Sequence, residues 1–210
     1  MSDFTWPSFT DGAFLPTDME ITQRHNNRAS VSPHSGYTQT LSVPGMRWGM
    51  TLMLQRQLYS DRQRIEAFLT DLNGMEHRVA LYDMGRPVPL GTINLSGVTA
   101  SAASALATTI VLNGCGNTKT LKVGDWFSVV IAGGIQLLMN MVDATSNAGG
   151  VMTVARFKPQ LRAAVTGSAA VVTDKPTMLC INVSPQVNLP RTGGLNAAPM
   201  ALEFVERFTA

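Results

Sequence analysis

The sequence predicts a mainly β protein with one short helix, built as a discontinuous outer domain that carries an inserted small barrel. Three observations support this. Short runs in which apolar and polar residues alternate are separated by Gly, Pro, Asn and Ser, which is the pattern of half-buried strands. Only the stretch from Ser60 to Gly74 has helical spacing. Charge also changes along the chain: residues 91–118 hold no charged side chain, whereas residues 1–91 hold most of the ionic groups. Pro87 and Pro89 on one side and Pro185 and Pro190 on the other read as paired connections. The expected outer domain is therefore 1–91 with 185–210, and the expected insert is 92–184.

In the outer domain, Met46, Trp48, Met50, Leu52 and Leu54 alternate with Arg47, Gly49, Thr51 and Gln55, which predicts a strand with one buried face. Ser60-Asp61-Arg62-Gln63 has the spacing of a capping box at a helix start. Ile65, Phe68, Leu69 and Leu72 then form one apolar stripe, and Gly74 is placed for a left-handed C-terminal cap. Arg78 to Tyr82 reads as a second strand. Met200, Leu202, Phe204 and Phe208 alternate with Ala201, Glu203 and Arg207. A strand so apolar on one face is expected to pair back into the outer sheet.

The insert reads as all β. Its expected strands are Thr108–Leu112, Trp126–Ile131, Gln136–Val142, Val151–Phe157, Ala169–Thr173 and Met178–Val183, with a short helix allowed at Ala102–Ala107. Strands of this length and spacing suggest an OB-like or SH3-like barrel of five or six strands. The uncharged run Trp126–Val142 is broken by Ser128, Gly133-Gly134, Gln136 and Asn140. It reads as two strands around a Gly-Gly turn and not as a membrane span. Met1 to Asp11 lacks the basic and apolar regions of a signal peptide, so a soluble, non-exported protein is expected.

Composition narrows the function. The 210 residues hold 16 Lys+Arg and 14 Asp+Glu, a net charge of only +2, which argues against nucleic-acid binding through bulk charge. Charged residues make up 14%, against about 25% in ordinary soluble domains, so an unusually neutral surface or burial in an assembly is expected. Cys115 and Cys180 form no disulfide framework or metal motif and read as buried thiols. His25, His34 and His77 lack metal-ligand spacing. The pairs Asp18/Glu20 and Glu203/Glu206 belong to no catalytic motif, and Glu203 is expected to face outward.

G-x-S-x-G is absent, and Ser30, Ser32 and Ser35 near His34 make no triad by proximity alone. Gly114 to Thr120 departs from phosphate-loop spacing and reads as a turn. Trp126, Phe127 and Phe157 beside Arg156, Lys158 and Arg162 could form a single-strand-binding face, but core aromatics with solvated cations is the favoured reading. No catalytic, cofactor-binding or metal-binding residue is assigned, and no enzyme activity or cofactor is expected.

One resemblance spans the chain from about Gly45 onward. The strand with Trp48, the helix with Ile65, Phe68 and Leu72, then Gly74 and the strand ending at Tyr82 and Pro87, resemble the first domain of distal tail proteins of long, flexible-tailed bacteriophages. Leu121-x-x-Gly124-Asp125-Trp126-Phe127, Gly149-Gly150-Val151-Met152-Thr153-Val154 and Lys158-Pro159-x-Leu161-Arg162 follow in the order of the OB-fold domain inserted in some of them. Ala201-Leu202-Glu203-Phe204 resembles the returning strand. Residues 1–44 match no such motif.

The resemblance implies a β-sandwich outer domain and a non-enzymatic virion protein. It would form a homo-hexameric ring at the distal end of the tail, after synthesis in the host cytoplasm. Implied partners are the tail tube protein, the tail hub and other tip proteins, with a host surface saccharide for the barrel. No nucleic acid or membrane insertion is implied. The alternatives are another tail component, such as a tail-tube or tail-terminator protein, and a monomeric saccharide- or nucleic-acid-binding module.

Overall fold

The computed structural model describes residues 3–7, 14–42, 45–55, 57–183 and 196–208. In its first part are β1 (Asp3–Thr5), β2 (Asp18–Arg24), β3 (Asn27–Val31), β4 (Thr38–Ser42), β5 (Arg47–Leu54), β6 (Gln57–Leu58), helix α1 (Tyr59–Asp71) and β7 (Arg78–Tyr82). The middle holds β8 (Thr99–Ala100), β9 (Ile110–Asn113), β10 (Thr120–Leu121), β11 (Trp126–Ile131), β12 (Gly134–Asn140), β13 (Ala144–Thr145), β14 (Met152–Val154), β15 (Phe157–Lys158) and β16 (Ala169–Val172). The chain returns through β17 (Thr177–Asn182), β18 (Asn196–Ala197) and β19 (Met200–Glu206). Among the described residues the fold is mainly β with one helix, as the alternation predicts. No helix among the described residues is long and apolar enough to cross a membrane.

The first sheet has six strands in the order β1-β7-β17-β19-β5-β2. Its strands pair antiparallel except β1 with β7. The register sets Leu202 opposite Leu52 and Phe204 opposite Met50, so the even positions of β5 and β19 share one buried face. Ile65 and Leu69 of α1, with Leu72 at its C-cap, join the same core. Phe68 is half-buried among aromatic rings, with centroids 5.5 Å from Trp6 and 5.6 Å from Phe14.

The helix start differs from the expected capping box. Leu58 occupies the N-cap position with extended backbone, and no side chain caps the helix. Here β6 leads directly into α1, so strand pairing with β18 sets the entry and Ser60 falls inside the first turn. At the other end both Asn73 and Gly74 take positive φ, 46° and 65°, which turns the chain toward β7.

The second sheet has seven strands, β14-β9-β8-β16-β11-β12-β15, and is nearly closed. Closure comes from chain continuity between β14 and β15, and from the Phe157 N–H donating to the Thr108 carbonyl at 3.1 Å. Its interior holds Phe127, Leu138, Leu112, Val154 and Phe157. The uncharged run is the β11–β12 hairpin, turning at Gly133 with φ 89°.

Three expectations for the insert need correction. Ala102–Ala107 is not helical: Ala103 bridges Val165, and Leu106 takes a positive φ of 65° in a turn, which a right-handed helix does not admit. The barrel has seven strands instead of five or six, because Thr99–Ala100 adds one and Val151–Phe157 divides into two. Met178–Val183, counted within 92–184, lies instead in the first sheet, where β17 joins β7 to β19. Met178, Leu179 and Cys180 are consecutively buried, so both faces of this strand are covered and it takes a central position.

The return from the barrel therefore runs through Asp174-Lys175-Pro176. The Lys175 N–H donates to the Pro87 carbonyl at 2.7 Å, which pairs exit with entry at that point. The expected connection through Pro185, Pro190, Gly193 and Gly194 lies outside the described residues.

Candidate functional site

Asp125, in the Gly124-Asp125-Trp126 sequence, is buried and accepts three backbone N–H groups: Leu90 at 2.7 Å, Gly91 at 3.0 Å and Lys122 at 2.7 Å. Gly91 is required there, since a Cβ would collide with the Thr120 carbonyl. Asp83 accepts the indole N–H of Trp126 at 3.0 Å, the Gly85 N–H at 3.0 Å and the Arg86 Nε–H at 3.2 Å. Both carboxylates thus lock the segment that enters the barrel, and their acceptor capacity is used by the fold.

The barrel is seated on the first sheet by aromatic packing and hydrogen bonds. The Trp48 and Trp126 rings meet edge-on with centroids 4.8 Å apart, and Trp48 Nε1–H donates to the Leu137 carbonyl at 3.1 Å. Arg78 donates to Asp3 at 2.7 and 2.9 Å and to the Gly133 carbonyl at 3.0 Å. Glu206 is fully buried beside this junction, with Oε2 accepting the Trp48 N–H at 3.2 Å. Burial pushes its carboxyl up to about 7. The Trp48 amide, Arg162, the Leu137 amide and Arg47 pull the other way and offset the loss of water only in part.

His25 and His34 are exposed, while the His77 ring lies 5.6 Å from Phe4. Among the described residues no three His, Cys, Asp or Glu side chains gather as a metal site. Burial raises both thiols, Cys115 to about 11. Gly114 and Gly116 take positive φ in the turn between β9 and β10. Glu203 faces outward and pairs with Arg24. Trp126, Phe127 and Phe157 are core residues. Arg156 and Lys158 are exposed, but Arg162 is half-buried, with its guanidinium 4.4 Å from the Phe208 ring centroid and donating to the Met46 carbonyl.

Two surfaces among the described residues are open to solvent around the junction of the first sheet and the barrel. The first is an arm. β2 and β5 pair in the first sheet, and beyond them the same two chain segments pair again as β3 and β4. The register steps by two between these pairings: Arg24 opposes Arg47, then Asn27 opposes Ser42. The outer ribbon is a separate two-stranded sheet, and all five residues of β3 are exposed. Val31, Tyr37 and Leu41 on it are 60%, 78% and 63% exposed.

The second surface is a cleft of about 670 Å³ between the base of this arm and the barrel. Gln23, His25, Asn26 and Asn27 form one wall, and Lys158 and Arg162 the other.

Sequence reasoning missed the arm because Asn27–Ser42 lacks an apolar face; its signal is the near absence of charge, with Arg28 the only Lys, Arg, Asp or Glu. It also missed Glu206, although the alternation through Leu202 and Phe204 points that position inward. No family model matches the chain, and no match is found among characterised proteins.

Proposed function

We propose that this chain is a structural, non-enzymatic subunit of a phage tail tip, forming a ring that joins the tail tube to the hub and other tip proteins. The observation that carries the reading is the β3–β4 arm. A two-stranded ribbon alone in water is marginally stable at best. This one leaves β3 wholly exposed and has three large apolar side chains in solvent.

Among the described residues no third strand pairs with the ribbon, and natural sheet edges are usually blocked by charge or proline. Here charge is nearly missing, and Pro33 lies in the turn beyond β3. Pairing with neighbouring copies satisfies both edges at once. A closed ring does this without open-ended growth, because each copy presents two different complementary surfaces around one axis. The tail location and the hexameric count rest on the resemblance of the motif order to that of distal tail proteins.

The test is the mass of the full-length protein by light scattering. A closed ring gives a discrete multiple of 22.6 kDa near six copies. Replacing residues 28–41 with a short Gly-Ser turn is expected to give a folded monomer. A full-length protein that stays monomeric at high concentration, and binds neither tube nor hub protein, would overturn the reading.

A further inference from the structure

We propose that the cleft between the arm base and the barrel binds an extended peptide segment bearing acidic side chains, supplied by a partner protein. This goes beyond the ring reading and does not depend on it.

The charge of the cleft is the first support. Lys158 and Arg162 line it, and no carboxylate is among the described residues that do. Arg162 is acted on by the Glu206 carboxyl and by a second guanidinium, Arg47, and both cations act on that one buried acid. Positive charge is left over at the cleft floor, in partly desolvated surroundings where an incoming carboxylate gains more than in open water.

The cation is also held in place. Gln136 is fully buried and uses both ends of its amide on one loop. Its Nε2–H donates to the Gln160 carbonyl at 2.8 Å, and its Oε1 accepts the backbone N–H of Arg162 at 3.0 Å, which fixes the main chain that carries the guanidinium. The guanidinium lies over Phe208 and donates to Met46, so little side-chain freedom remains to be lost on binding.

The opposite wall indicates a peptide over a bare anion. Gln23, Asn26 and Asn27 offer carboxamides, each a donor and an acceptor, which suit a main chain's alternating N–H and C=O groups. Met46, Leu106 and Met141 add apolar surface of adaptable shape for side chains. The volume lies within the range of sites that enclose organic ligands.

The experiment uses the full chain on an array of octapeptides, each acidic member beside a twin in which Asp and Glu become Asn and Gln. Binding is expected on acidic members and not on their twins, and is expected to weaken with salt. Arg162→Gln should weaken the best peptide by roughly tenfold or more. Lys158→Gln, at an exposed position of β15, should weaken it by several-fold, and Lys119→Gln, away from the cleft, should not. Equal binding of acidic and neutral twins overturns the proposal, as does unchanged affinity in Lys158→Gln and Arg162→Gln. If sodium sulfate at matched ionic strength displaces the peptide as well as unlabelled peptide does, the cleft is a simple anion site and the proposal fails.

Discussion

The Trp48 N–H donates to Glu206 Oε2 at 3.2 Å, joining the start of β5 to the end of β19 beneath the seat of the barrel. That carboxyl is fully buried, and its raised value of about 7 against an ordinary 4.5 means the folded state holds its proton more tightly than the unfolded chain. Stability from this group is therefore fully present below about 4.5 and is lost as pH rises through about 7. The swing amounts to roughly 3 kcal/mol. Glu206→Gln keeps an acceptor for Trp48 and removes the ionisation. It should match the parent near pH 4.5 and exceed it by about 1–3 kcal/mol at pH 8. Urea melts at both pH values check this; equal stability of the two proteins at pH 8 would refute it.

Asp125 gives a second expectation. Three backbone N–H groups from two segments converge on one buried carboxylate. Removing it leaves those donors without their acceptor, and bonds to a charged group contribute about 1.5–3 kcal/mol each at most. Asp125→Ala should cost about 3 kcal/mol or more, and Asp125→Asn less, because one oxygen remains. Hydrogen exchange at Leu90, Gly91 and Lys122 should quicken in step. A cost below about 1 kcal/mol would mean that the entry segment is held by other contacts.

Phe68 is the centre of an aromatic cluster, edge-on to Phe4, Trp6 and Phe14. Its half-burial lowers the cost of truncation from that of a sealed core site, while the ring contacts add to it. Phe68→Ala should cost about 2–4 kcal/mol. Phe68→Leu should recover part of that. Thermal melts of the two variants decide the matter, and a loss under about 1 kcal/mol would place α1 loosely on the sheet.

How much of this could be read from the sequence differs by element, for physical reasons. Trp48, Met50, Leu52 and Leu54 were legible because burial of one strand face writes a period of two. Ile65, Leu69 and Leu72 were legible by the same logic at helical spacing. Trp6 and Phe14 were not, since their aromatic contacts come from irregular segments that have no period. The sheet to which Met178–Val183 belongs was not legible either. Local pattern marks a strand, but its neighbours, Tyr82 and Glu206 among them, are distant in sequence. The cleft is assembled from residues 23, 25–27, 45–46, 106, 141 and 158–162, a juxtaposition that no local spacing encodes.

The arm gives the last prediction. Val31, Tyr37 and Leu41 are more than half exposed, and β3 and β4 are hydrogen-bonded chiefly to each other. Changing exposed side chains that touch little usually alters stability by less than about 0.5 kcal/mol. The triple variant Val31→Thr, Tyr37→Ser, Leu41→Thr should therefore melt with the parent, since β-branched Thr keeps strand propensity. Its assembly should nonetheless fail, because these side chains supply the apolar area that a stable contact between copies buries. A control variant, Leu95→Thr with Val123→Thr, removes exposed apolar groups from the barrel region instead and should assemble normally. Light scattering on all three proteins at one concentration separates the outcomes. If the arm variant assembles as well as the control, the contact between copies lies elsewhere, and the exposed ribbon needs another occupant.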